Sequence, residues 1–399
     1  MKKPALISLL LPVMMCFVIS CKHSSQDIPT INLEKYSGNI DLELSDLLSD
    51  IRIIQLESNE HSIVSGYEFA ISEDYIVATD ENSIKLFDRN GKYIRNLAYK
   101  GRGPNEYIDL YSTYIDNNNI LYCSDGRKIF RIDIDNNKFL DPITTTLTPL
   151  VVRGIGKNNL YMTRGNVMMR GDLLWNDSTF LFADYNIEKD TETAIRSYSL
   201  LKALHSYDNL HPYKDELIYI NRNYSDSVFR LKNDRLEPIL RVKIENSATS
   251  DESGYTTFIS FVGKPGIIFD YREQNVERNE TPGGYSSRTT SKVIDYLLYN
   301  NQSGLQRINS ILINPFGVKF TTEEFINSVS KREIPRIYPL FPIKTGDYAY
   351  YNYDAYRMMD LLEYALSENK NNPEADNIRA ILNSLKEDDN PVLIIGKVR

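Results

Sequence analysis

The residues best equipped to do chemistry stand in one run, Lys100-Gly-Arg-Gly-Pro-Asn-Glu-Tyr107. Arg102 offers a planar fork that binds an anionic group bidentately, and Tyr107 offers a ring that stacks on a sugar or a side chain. Glu106 adds a carboxylate beside them. Two readings stand. In one, Arg102, Glu106 and Tyr107 form a ligand-binding loop. In the other they are internal, Arg102 pairing with Glu106 and Tyr107 packing between neighbouring elements. Gly101-Arg-Gly103 has the look of a phosphate cradle, but Pro104 removes a donor, and no P-loop Lys-Ser/Thr pair or helical pattern follows.

The other reactive groups point to structure. Asp133, Asp135 and Asn137 have the spacing that opens a calcium loop. Its sixth position is Lys138 instead of Gly and its twelfth Thr144 instead of Glu, so a hairpin turn is expected. The histidines, His23, His61, His205 and His211, make no HExxH pair, and no Gly-x-Ser-x-Gly elbow is present. Cys123, inside the strand-like Ile120-Leu-Tyr-Cys-Ser124, is expected as a packed core thiol. No catalytic residue, metal site or cofactor is assigned.

The elements that must carry these residues recur. Tyr75-Ile-Val-Ala-Thr-Asp80, Ser83-Ile-Lys-Leu-Phe87 and Lys92-Tyr-Ile-Arg-Asn-Leu97 read as strands, and Asn90-Gly91 is a strong hairpin signal suited to a type I′ turn. Related strand sets start near 120, 159, 216, 266 and 346, with early copies roughly 40 to 57 residues apart, the period of a four-stranded propeller blade. Six copies are countable. The last lacks an outer strand, and Asp50-Ile-Arg-Ile-Ile-Gln-Leu-Glu57 is free to supply it. The expectation is an all-β, six-bladed β-propeller closed by the N-terminal strand, without free sheet edges. Residues 246–290 read as a polar, loop-rich insertion with Thr281-Pro-Gly-Gly284 as a turn. Residues 353–388 read as a helical hairpin, with Met358, Leu361, Leu362, Ala365 and Leu366 on one helix face.

The N-terminus reads as an address. Lys2 and Lys3 precede an apolar stretch from Ala5 to Ile19, and Val18-Ile-Ser-Cys21 resembles a bacterial lipobox. The expected organisation is a signal peptide over 1–20, lipid on Cys21, a tether and lead-in over 21–48, and the propeller over 49–399. One lipid group anchors a chain to a membrane without spanning it.

The 399-residue length alone would predict two or three domains; the repeat assigns the bulk of the chain to one. Loss of Lys2 and Lys3 leaves 44 basic against 54 acidic side chains, a formal −10 that repels nucleic acid. Of 3 cysteines, removal of Cys16 and lipidation of Cys21 leave Cys123 without a partner for a disulfide. The chain has 28 Tyr and a single Trp, Trp175, which argues for β-blades that are not of the Trp-Asp type.

The lipobox, Ile54-Gln-Leu-Glu57, the Leu86-Phe-Asp-Arg-Asn-Gly-Lys-Tyr-Ile94 hairpin, the Gly-x-Gly-Pro-x-Glu-Tyr element and the closing Asp389-Asn-Pro-Val-Leu-Ile-Ile-Gly-Lys-Val398 together resemble the six-bladed β-propeller lipoproteins of Bacteroides-type bacteria. These are similar in turn to NHL-type propellers, which mostly act as binding platforms. The resemblance implies a fold and a cell-envelope location, with outer-membrane attachment on the periplasmic or the surface side. The functional expectation is a non-catalytic module for a glycan, peptide or protein partner. The alternative is a lyase or hydrolase with its site at the channel mouth.

Overall fold

The computed structural model describes residues 28–64, 68–103, 105–126, 128–145, 151–155, 159–163, 182–195, 210–214, 216–220, 226–232, 235–248, 253–281, 284–330, 340–368 and 372–399. Six antiparallel sheets follow one another as blades. The first holds Glu68–Ile71, Tyr75–Thr79, Ser83–Asp88 and Tyr93–Lys100, and the second Ser112–Ile115, Ile120–Ser124, Lys128–Asp133 and Lys138–Thr144. The third holds Val151–Ile155, Asn159–Thr163, Phe182–Asn186 and Thr191–Ile195. The fourth holds Leu210–Tyr213, Glu216–Ile220, Ser227–Lys232 and Arg235–Lys243. The fifth comprises Gly254–Gly263, Gly266–Thr281, Gly284–Asn300 and Gly304–Ile313. The sixth takes Ile343–Thr345, Tyr348–Tyr353 and Val392–Val398 from the C-terminal end and Leu48–Gln55 from the N-terminal end. The last two strands pair antiparallel, Val392 opposite Gln55 and Val398 opposite Leu48. The first strand of each blade lines the axis.

The turn chemistry explains why the blades repeat. At the hairpin between the third and fourth strands, an Asp or Asn side chain accepts amide hydrogens from the turn. Asp88 takes those of Asn90 and Lys92, Asp133 that of Asn136, Asn186 that of Lys189, and Asn300 those of Gln302 and Ser303. Each turn then passes through a left-handed residue: Gly91, Asn137, Asp190 or Gly304. Asn90 is not left-handed, so the first of these turns is a longer loop ending in a left-handed glycine, and not the type I′ turn expected. Asp133 and Asn137 thus belong to the turn that opens and closes a hairpin.

Apolar faces of neighbouring blades fill the space between them. Cys123, fully buried, lies with Tyr107, Phe130, Ile132 and Val77 between the first and second blades. The helices Ala355–Glu368 and Ala375–Ser384 are inserted between the second and third strands of the sixth blade, where the helical pattern placed them. Met358, Leu361, Leu362, Ala365 and Ile378 pack with Phe316, Ile311 and Ile313 of the fifth-blade side.

Three features differ from expectation or went unanticipated. Residues 254–300 are largely strands, not loops: Gly266–Thr281 and Gly284–Asn300 pair from Ile267 opposite Tyr299 to Thr281 opposite Gly284. Beyond Gln274 this ribbon no longer pairs with Gly254–Gly263 and its described side chains are mostly exposed, so its sequence is polar and carries no apolar alternation. The expected turn at Thr281 and Gly284 is where the ribbon reverses. Between the fifth and sixth blades, Val318–Thr321 pairs with the fifth blade and the helix Thr322–Ser330 follows. Residues 28–47, expected within the tether and lead-in, lie on the propeller. Thr30–Asn32 adds a parallel strand to the fourth blade and Asn39–Glu43 another to the fifth.

Candidate functional site

The 100–107 run leaves the fourth strand of the first blade and folds back on it. Glu106–Tyr107 pairs parallel with that strand, Tyr99 opposite Glu106 and Lys100 opposite Tyr107. The Gly101 amide donates to the Tyr107 carbonyl at 2.9 Å, and the Gly103 amide donates to the Glu106 carboxylate at 2.6 Å. A side chain at Gly101 would occupy the place of that carboxylate, which accounts for the glycine. Glu106 is therefore the clasp of its own loop. Tyr107 is 2% exposed and stacks on Phe130 of the second blade, ring centres 6.3 Å apart and planes 12° apart. Burial pushes its hydroxyl well above the ordinary tyrosine range. Arg102 stands exposed at the tip, and among the described residues it has no carboxylate within 4 Å. The three residues chosen from sequence are thus divided among a clasp, an inter-blade wedge and an exposed cation.

Beside this loop lies a cleft of about 310 Å³, lined by Asp80, Glu81, Lys100, Tyr107 and residues 109–111. The Asp80 carboxylate is already engaged, by the amides of Asn82 and Ser83 and by the Lys85 ammonium at 2.9 Å. Burial raises its pKa, but these hydrogen bonds outweigh burial and leave it below the usual carboxylate value. Glu81, Asp109 and Lys100 remain at the surface, with Lys100 3.8 Å from Asp109. Tyr111 in this lining is 50% exposed, and Tyr99 and Ile108, next in sequence to the lining residues Lys100 and Tyr107, are 55% and 49% exposed. Sequence reasoning stopped at Tyr107 and missed Asp109, Leu110 and Tyr111. The continuing run Ile-Asp-Leu-Tyr111 carried that signal, since large apolar residues in a loop otherwise polar need a partner.

The axial channel is a separate region. Tyr114, on the inner strand of the second blade, lays its ring across it, over Gly154 of the third blade and Gly346 of the sixth. A Cβ on Gly154 would collide with the phenol end of the ring at Cζ, and one on Gly346 would stand 3.2 Å from the ring. On one side of Tyr114 a pocket of about 40 Å³ is bordered by Glu68, Thr113 and Arg153. Burial raises the Glu68 pKa, opposed by the Arg153 charge and by a hydrogen bond from the Thr113 amide. Arg153 donates to Ser112 Oγ and to the Val152 carbonyl, both at 2.9 Å. The Thr113 hydroxyl is buried with no partner, and the space suits a water molecule.

His61 is an exposed neighbour of Glu60, 3.2 Å away. Cys21, His23 and His205 lie outside the described residues. Among the described residues, no group of three or more His, Cys, Asp or Glu side chains is placed to hold a metal ion. No helix there is long and apolar enough to cross a membrane.

Among solved structures, a Bacteroides fragilis protein described as exported shares 13% identity at a TM-score of 0.54, with 93% of this chain and 100% of that chain covered. A member of the DUF4221 family from Bacteroides vulgatus shares 10% identity at a TM-score of 0.46, covering 88% and 97%. At 13% identity the likeness to the Bacteroides fragilis protein shows the fold alone. Comparison with proteins of curated function returns no match. The family model described as Domain of unknown function (DUF4934) matches residues 28–397. With its six blades and that match over nearly the whole chain, this protein belongs to the DUF4934 family.

Proposed function

We propose that this chain is a lipid-anchored, non-catalytic binding propeller of the cell envelope, which meets a glycan, peptide or protein partner at the 100–111 cleft. The observation that carries the reading is the half-exposed Tyr111 in a cleft that also presents Lys100, Glu81 and Asp109, with the exposed Tyr99 and Ile108 adjoining its lining residues in sequence. Contiguous exposed apolar side chains rimmed by charge mark interaction surfaces, and a half-exposed tyrosine supplies contact area at low entropic cost. Arg102 at the loop tip adds a cation that can meet an anionic group on the partner. The resemblance of the sequence to Bacteroides-type propeller lipoproteins, themselves similar to NHL-type binding platforms, supports the same role.

The lyase or hydrolase alternative has its best candidate in Glu68 and Arg153. The pocket they border, about 40 Å³, has room for water but not for a substrate ring. The cleft is the larger and more accessible of the two.

The double substitution Ile108→Ala/Tyr111→Ala tests the reading. Wild-type protein should retain a component of its own envelope extract or of an immobilised glycan pool, and the double variant should bind it about tenfold more weakly. Both side chains are half exposed, so folding stability should change by no more than about 1 kcal/mol. Equal retention by the two proteins would sink the proposal. Anchoring is tested separately. Cys21→Ala should move the protein from the membrane fraction to the supernatant and abolish labelling by a radioactive fatty acid; a variant still pelleting with membranes would contradict the anchor.

A further inference from the structure

We propose that the cup on the opposite side of Tyr114 from Glu68 is a second binding site, for a compact organic or inorganic anion carrying a carboxylate or phosphate. It is independent of the 100–111 cleft. The cup encloses about 230 Å³ where the inner strands end in their first hairpin turns, with Tyr114 as its inner wall. Lys214 reaches it from the fourth blade, and Lys344, Lys397 and Arg399 from the C-terminal part of the sixth. The single acidic side chain in the lining is Asp347.

None of these lysines has a carboxylate within 4 Å among the described residues, where lysine ion pairs involve Lys85, Lys100 and Lys319. Lys344 is held by dipoles instead. Its Nζ donates to the Pro212 carbonyl of the fourth blade and, at 3.0 Å, to the Val262 carbonyl of the fifth. It also lies 5.6 Å from the ring centres of Tyr213 and Phe261. Lys214 is positioned by a left-handed backbone (φ 53°) and stands over the Tyr213 ring at 5.1 Å.

An ammonium taken from water and given carbonyls and rings, but no counter-charge, is costly to hold. Burial accordingly depresses the Lys344 pKa to about 7, against a weaker upward pull from Asp347. Beyond the lining, Glu73 takes the Tyr348 hydroxyl and faces Arg89 and Arg52 as well as Lys397, so it does not cancel the excess. Lys214, Lys397 and Arg399, with Lys344 beside them, converge on a space with one acidic side chain and so select a ligand by charge. The volume limits it to something of the size of a phosphate ion or a single hexuronate ring, roughly eight waters' worth of space. A perturbed group in a concave, charged space is a mark of a binding site rather than of packing.

The test is titration calorimetry on the full chain at constant ionic strength, with inorganic phosphate and glucuronate as probes and glucose as the neutral control. At least one anion should bind, and glucose should not. Binding of phosphate alone identifies a phosphate site, and of glucuronate alone a carboxylate site. Lys214→Ala/Lys397→Ala should weaken the anion about tenfold or more, because both side chains are exposed contributors to the charge and not parts of the core. If that double variant does not fold by circular dichroism, Lys397→Gln is read in the same way. Ile108→Ala/Tyr111→Ala should leave anion binding unchanged, which separates this site from the cleft. Absence of binding for both anions up to about 10 mM, glucose binding as well as they do, or undiminished binding by the lysine variants would overturn the proposal.

Discussion

A chain that begins at Leu56 is expected to lose cooperative folding. The missing segment supplies the outer strand Leu48–Gln55 of the sixth blade and the parallel additions Thr30–Asn32 and Asn39–Glu43. It also supplies five leucines, Leu33, Leu42, Leu44, Leu47 and Leu48, each 3% exposed or less. At about 1.5–3 kcal/mol for each buried leucine, their loss removes about 10 kcal/mol, comparable with the whole stability of a typical domain. The truncation bares Val392 to Ile395 as an apolar edge, which invites association. Urea unfolding followed by tyrosine fluorescence, with gel filtration, checks this. A monomeric truncation whose transition keeps the full chain's slope and midpoint would show that the N-terminal segment is not the closure.

Asn390→Ala is expected to destabilise the full chain by about 3 kcal/mol. Asn390 is 2% exposed, and its side chain ties the two ends of the ring together. Its amide donates to the Glu57 carbonyl at 2.6 Å and the Ser62 carbonyl at 3.0 Å, and its oxygen accepts the Val64 amide at 2.8 Å. Alanine leaves these three backbone groups buried without partners, each worth about 1–3 kcal/mol, with partial repair by water. Asn390→Asp keeps the acceptor but sets a carboxylate against two carbonyls, so at neutral pH it should be at least as damaging. A buried aspartate in that setting has a raised folded-state pKa. Its penalty should therefore shrink as pH falls through that value, because the protonated acid can donate again. Denaturation midpoints at pH 7 and pH 5 measure both effects. A loss below 1 kcal/mol for Asn390→Ala would mean that the ends are held by strand pairing alone.

How legible each part was follows from how local its determinants are. Ser83-Ile-Lys-Leu-Phe-Asp88 alternates faces that fill two different inter-blade spaces, and the turn after it is specified by Asp88 and Gly91 within five residues. The helices at 355–384 were legible because their buried positions recur with the helical period. The ribbon beyond Gln274 was not, since without a neighbouring strand its described side chains are mostly exposed and lose the alternation that reveals a strand. Residues 28–47 looked like a tether because strands of three to five residues carry little periodicity, and what fixes them is pairing with blades some 200 residues or more away.

The sequence by itself determined the blade count, the turns, the closing strand and the loop that borders the cleft, because hydrogen bonds and apolar faces repeat over a few residues. Only the tertiary structure decided what that loop does with its side chains. It turned Glu106 onto Gly103, buried Tyr107 against Phe130 and left Arg102, Tyr99, Ile108 and Tyr111 to solvent. It alone brought Lys214, Lys344 and Lys397, from two blades and far apart in the chain, to one cup beneath Tyr114. Convergence at an axis is a property of the closed ring, and no local pattern of residues encodes it.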